Sequence, residues 1–150
     1  MNSDTSSTRP SNAAAQAVDF PAHIQQFLAF DFGTKRTGAA SGNRIFGAAS
    51  PLPTIKAEGA DARFAVIEKL IKEWQPQALV IGVPYHPDGA PHENTARALK
   101  FGRQLRGRFN LPVYEVDERY STTEALAGGA KDADAASACI ILEQFLRSLP

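Results

Sequence analysis

Three acidic positions stand where a carboxylate is costly unless it is used. Asp31 closes Phe27-Leu28-Ala29-Phe30, part of the most apolar run in the chain, and Asp117-Glu118 closes Val113–Val116. Asp134 opens the apolar C-terminal segment, two residues after Asp132. A lone ionised carboxylate at the end of a buried strand is unfavourable without a partner. Carboxylates at the ends of neighbouring parallel strands open onto one crevice, and their mutual repulsion raises some pKa values unless a divalent cation neutralises them. Oxygen-only donors with no matching His or Cys favour Mg²⁺ or Mn²⁺ over zinc. Two such ions about 3.5–4 Å apart can activate a water and stabilise the leaving oxygen of a phosphodiester. Each acid also has a plainer role: Asp31 as a turn cap before Gly33, Asp117 as a partner of Arg119, Asp134 as a helix N-cap. Their joint placement at element ends favours the metal site.

Cations stand beside these acids. Gly33-Thr34-Lys35-Arg36-Thr37-Gly38 follows Asp31, so Lys35 and Arg36 lie where a substrate phosphate would be held. The spacing is that of a P-loop, but Gly38 is followed by Ala39 rather than Lys, and by a strand rather than a helix, which excludes one. The plainer alternative is a hairpin turn with two solvated cations. Further on, Arg97, Lys100, Arg103, Arg106 and Arg108 lie between Glu93 and Glu115 with no acid among them. At helical spacing they oppose Ala98, Phe101, Leu105 and Phe109, giving an outer face that is either solvated or suited to a phosphate backbone. His23, His86 and His92 have no metal-ligand spacing, and Cys139 reads as a small apolar residue. Tyr85 and His86, in one loop, are weaker candidates for touching substrate.

The elements that must position these groups follow from hydrophobic patterning. Met1 to about Gln26 is rich in Ser, Thr, Asn and Ala and predicts a disordered tail, with an ordered domain over 27–150. Phe27–Phe32 and Ala78–Val83 are solidly apolar and predict strands buried on both faces. Thr37–Ser41 and Arg44–Ala48 flank Gly42-Asn43, which predicts a two-residue hairpin turn, with Pro51 and Pro53 closing the strand region. Helices are expected over Asp61–Trp74, Glu93–Phe109 and Asp134–Leu149, a short strand over Val113–Val116, and a capping box at Ser121-Thr122-Thr123-Glu124. The order implies an α/β fold with a mixed sheet, antiparallel in its first part and parallel in its second, with helices on both faces.

Composition excludes several classes. At 150 residues the chain suits one domain and is too short for a two-lobed kinase-type ATPase, which Asp31-Phe32-Gly33-Thr34 also resembles. One cysteine excludes a disulfide within the chain and any multi-Cys zinc site. With 16 basic against 16 acidic residues the protein is not histone-like. No run approaches the roughly 20 apolar residues of a membrane helix, and the N-terminus matches neither a secretory nor a transit signal. A cytoplasmic protein is expected.

Four segments together resemble the YqgF/RuvX family: Phe30–Gly38, Val80-Ile81-Gly82-Val83-Pro84 with Asp88-Gly89, Val116-Asp117-Glu118-Arg119 with Ser121-Thr122, and Asp134–Ala138 leading to Ile140-Ile141-Leu142. The likeness runs from about Phe27 to Leu146. It implies an RNase H-like fold, a five-stranded mixed sheet with its first three strands antiparallel and its last two parallel. It also implies a bacterial nuclease linked to maturing the 5′ end of pre-16S rRNA, and described as well as a Holliday junction resolvase. Carried over by position, the catalytic and metal-holding acids are Asp31, Glu118 (or Asp117) and Asp134 (or Asp132). Lys35, Arg36, Arg119 and the Arg97–Arg108 cations would hold nucleic acid, with structured RNA or branched DNA as partner, possible contact with a ribosome precursor, and a monomer or homodimer as the working form. The segment between Glu124 and Asp134 is shorter than the family's loop, which bears on substrate grip. A nucleic-acid-binding module without catalysis is the alternative from another class.

Overall fold

The computed structural model describes residues 20–118 and 132–150. Arg119, the Ser121–Glu124 capping box and the short segment before Lys131 lie outside the described residues, as does the tail before Phe20. The described strands are β1 (Gln26–Asp31), β2 (Arg36–Asn43), β3 (Ala48–Lys56), β4 (Ala78–Val83) and β5 (Val113–Asp117). The helices are α1 (Ala60–Trp74), α2 (Glu93–Phe109) and α3 (Ala133–Arg147). Among the described residues the strands form one five-stranded sheet in the order β3-β2-β1-β4-β5. β1 pairs antiparallel with β2 and parallel with β4, and β4 pairs parallel with β5.

Strand alternation divides the core between the two faces. Leu28, Phe30, Leu79, Ile81 and Val113 pack with Phe64 and Ile67 of α1 and Phe101 and Leu105 of α2. Phe27, Ala29, Ala78, Val80 and Val116 pack with Ala138, Ile141, Leu142 and Phe145 of α3. The unbroken apolar runs of β1 and β4 are required because helices cover both their faces, and each buried Phe, Leu or Ile contributes about 1.5–3 kcal/mol. α1 ends at Gln75, which takes the left-handed conformation at φ 48°, one residue before Pro76.

Three expectations need correction. Gly42 and Asn43 lie within β2, and the hairpin turns through Arg44–Gly47, with Gly47 at φ 68° supplying the left-handed residue. The strand continues because Gly42 leaves room for Leu142 of α3, whose Cδ2 would be 2.7 Å from an added Cβ. Pro51 and Pro53 do not end the strand region but sit inside β3; as an edge strand it has one side with no ladder bonds to lose. Phe20–Gln25, on the tail side of the boundary expected at residue 26, include two buried side chains. Phe20 and Ile24 join the α3-side core, and Phe20 meets the rings of Phe27, Tyr114 and Phe145. A lone Phe and a lone Ile among polar residues carry no periodicity, so their burial was not legible locally.

Candidate active site

Asp31 ends β1, and the neighbouring position on each flanking strand is glycine. Gly38 of β2 is its register partner. Gly82 of β4 lies one step beyond the last β1–β4 pair, Phe30 with Ile81. By alternation with Phe27 and Ala29, and with Ala78 and Val80, Asp31 and Gly82 face α3. The other two acids use the space the glycines leave. A Cβ on Gly38 would stand 1.9 Å from the Asp134 carbonyl oxygen, so the first turn of α3 rests directly on that backbone. A Cβ on Gly82 would stand 2.4 Å from Glu118 Oε2. Asp31 is therefore flanked by Asp134 on one side and Glu118 on the other. Along β5, Tyr114 and Val116 face α3 and Val113 faces the opposite layer, so alternation turns Asp117 away from Asp31.

The electrostatics match this crowding. Burial, and then the negative charge of Asp134, push the Asp31 carboxyl up to about 6. Arg36 Nε lies 2.7 Å from Asp134 Oδ2 and partly offsets that charge. Asp132 has a different task. Its side chain caps α3, accepting from the Ala135 amide at 3.2 Å, and the Thr54 hydroxyl lies 2.7 Å from both its oxygens. The Thr54 hydroxyl, aided by the Ala135 amide and the charge of Arg36, holds the Asp132 carboxyl below its ordinary range. The N-cap role considered for Asp134 thus belongs to Asp132, and Asp134 is left to face Asp31. Asp132→Ala should lower stability by about 1–2 kcal/mol in chemical denaturation, and the difference should shrink as the pH falls below the ordinary carboxylate range, where the unfolded chain takes up a proton that the folded cap still resists.

Arg63 escaped the sequence reading. It is 6% exposed, and its Nη2 donates to the carbonyls of Thr34, Ala57 and Glu58 at 2.8, 3.3 and 3.5 Å. Its guanidinium lies 4.9 Å from the centre of the Phe32 ring. Together with the bond from the Ala57 amide to the Lys35 carbonyl, 3.1 Å, it pins the turn that carries Lys35 and Arg36. The available signal was its place four residues before Ile67, on the buried face of an amphipathic helix.

The cations of α2 do not form one free face. Arg106 bonds the Val113 carbonyl and pairs with Glu115, while Arg108 covers the Phe64 ring and pairs with Asp61. Arg97 bonds Asn94, and Lys100 and Arg103 are exposed. This helix packs on the layer opposite α3, so the sheet separates its outer face from the three carboxylates. His92 caps α2 through Nδ1, its ring 4.9 Å from that of His86. The intervening loop is folded back on itself by a bridge between Tyr85 and Pro91.

The all-oxygen donor set suits a hard divalent cation, and the raised Asp31 carboxyl is the strain such an ion would relieve. Among the described residues, no three acidic, imidazole or thiol groups close into a finished cage. Arg36 stands against Asp134 instead.

This sheet order, with α3 across the face where the strand-end acids gather, defines an RNase H-like domain. Two solved Holliday junction resolvases share the fold: T. thermophilus RuvC in complex with its junction substrate and the yeast mitochondrial resolvase Ydc2. Their TM-scores are 0.51 and 0.52 at 16% and 12% identity, covering 82% and 90% of this chain and 94% and 85% of theirs. The family model described as "RuvX: Holliday junction resolvase" matches residues 25–148. A relative from Polaromonas sp. is 71% identical over 129 residues, covering 86% of this chain and 93% of its own. One from Albidiferax ferrireducens is 67% identical over 132 residues, covering 88% and 84%. Both carry the name "Putative pre-16S rRNA nuclease". The chain belongs to the RuvX family.

Proposed function

We propose that this protein is a divalent-metal-dependent endonuclease acting on structured nucleic acid, and that its substrate is the 5′ end of pre-16S rRNA. The observation that carries the reading is the glycine-flanked Asp31, with Asp134 and Glu118 drawn in over Gly38 and Gly82. Asp31, Glu118 and Asp134 would hold Mg²⁺ or Mn²⁺, which when bound lowers the pKa of a water and neutralises charge on the phosphate. The protein's own part is to keep those oxygens partly buried and aligned at the strand ends of a rigid sheet, with Lys35 exposed on the adjoining turn to meet the substrate backbone. Lys100 and Arg103, on the opposite layer, would steady a long RNA rather than its cut site. Asp117 and Asp132 have no place among the metal-holding groups in this reading. The names of the relatives at 67% and 71% identity support the choice of RNA. Processing a ribosome precursor puts the work in the bacterial cytoplasm, and no helix among the described residues is long and apolar enough to cross a membrane.

The family description favours a second substrate, the four-way DNA junction. That reaction needs paired cuts and hence a homodimer, whereas one active site suffices for an rRNA end. The decisive experiment incubates a 5′-extended 16S precursor and a synthetic four-way junction, each with wild type and Glu118→Gln, in Mn²⁺ and in chelator. The expected result is Mn²⁺-dependent cutting of the precursor, reduced at least about a hundredfold by the substitution. Junction cutting with an untouched precursor would reassign the substrate. Equal cutting by both proteins would remove Glu118 from the chemistry.

A further inference from the structure

We infer that Arg36 is the displaceable counter-ion of the carboxylate site, resting on Asp134 while no divalent cation is bound and freed toward a substrate phosphate when one enters. The inference rests on the metal-dependent reading above and assigns Arg36 a second position. Its guanidinium is 2.7 Å from Asp134, the carboxylate whose charge also acts on Asp31. A cation seated between the two acids would compete with it directly. A guanidinium keeps its charge throughout the working pH range, so the contact yields to a competing cation and not to deprotonation.

Only the head group has to move. The turn beneath Arg36 is held by the Ala57 amide on the Lys35 carbonyl and by Arg63 on the Thr34 carbonyl. It is also too tight for a side chain at Gly33, where a Cβ would meet the Arg36 carbonyl at 2.3 Å. The pair itself is weak enough to exchange, since the two side chains are 55% and 34% exposed. A pair in that setting contributes a few-fold in affinity at most. Other arginines cannot substitute: Arg63, under the same turn, is buried on carbonyls, and Arg106 and Arg108 lie across the sheet, tied to β5 and α1. If entry of the cation releases Arg36 to a phosphate, the two binding events must favour each other by the same factor.

Two measurements on the full chain test this. In calorimetric titration with Mn²⁺ alone, Arg36→Gln should bind the ion about fivefold more tightly than wild type. Equal or weaker binding by the variant would overturn the inference while leaving the metal reading intact. Absence of binding by both proteins would remove the metal reading and the inference with it. The second measurement needs no metal: anisotropy of a labelled RNA hairpin in chelator, with Asp134→Asn made in the wild-type and the Arg36→Gln backgrounds. Loss of the Asp134 charge should tighten hairpin binding a few-fold when Arg36 is present and have little effect when it is absent. The same gain in both backgrounds would mean that only net charge had changed, and Arg36 would have no special part.

Discussion

Asp31→Asn should make the metal-free protein more stable at pH 8 while abolishing its cleavage activity. The Asp31 carboxyl titrates near 6 in the folded chain against an ordinary value of 3.8, chiefly because it is buried and then because Asp134 faces it. Between those two values the folded form holds more protons than the unfolded form. Stability is therefore fully present below about pH 4 and declines as the pH rises toward 6. A displacement of this size corresponds to about 3 kcal/mol, which removal of the charge should restore. The Asn variant should then melt about 6–12 °C above wild type at pH 8, with the gap closing near pH 4. Adding Mn²⁺ should raise the melting temperature of wild type and leave the variant unmoved. A variant less stable than wild type at pH 8 would show that Asp31 is not under electrostatic strain. Such a site trades stability for chemistry, as residues held ready for a cation generally do.

Gly38→Ala should destabilise the protein more than the same change at Gly33, Gly42, Gly82 or Gly102, where the added carbon has more room. The new carbon would lie 1.9 Å from the carbonyl oxygen of Asp134 and 2.5 Å from its carbonyl carbon. Neither side can yield cheaply. β2 is paired with β1 on one side and β3 on the other, and the start of α3 is tied to β3 through Asp132 and Thr54. Relief requires α3 to retreat from the sheet, carrying Asp134 from Asp31 and opening the contacts of Ala138 and Ile141. Overpacking of this kind costs about 3 kcal/mol, near 10 °C in melting temperature. If Asp134 holds the metal as proposed, a displacement of about 1 Å there costs roughly a hundredfold in rate even where the variant is folded. Gly107→Ala is the control: nothing lies within 4 Å of its added carbon, and in α2 the change should stabilise by about 0.5–1 kcal/mol. Equal melting temperatures for wild type and Gly38→Ala would show that the β2–α3 contact is looser than described.

The two glycines mark where local reading ends. Gly38 was legible as the end of a tight turn and Gly82 as part of a family segment. What each admits was not, because a missing Cβ has meaning only against the group that fills its place. The β2–β3 turn shows the same limit in another form. Gly42-Asn43 has the composition of a hairpin turn, yet β2 runs through it because Leu142, a hundred residues later in the chain, lies against Gly42. Arg36 had the composition of a phosphate ligand and the structure finds it on Asp134.

By itself the sequence determined the order and type of the elements, the two strands buried on both faces, and the acids at their ends. Those properties follow from hydrophobic period and from the cost of stranding a carboxylate beside apolar residues, both of which act within a few residues. Only the tertiary structure decided that Asp134 rather than Asp132 meets Asp31, that Glu118 rather than Asp117 shares its face, and that the α2 cations lie across the sheet. These are settled by strand register and by the docking of α3. A shift of one residue in register turns every side chain to the opposite face, and the contacts that prevent it join segments distant in the chain.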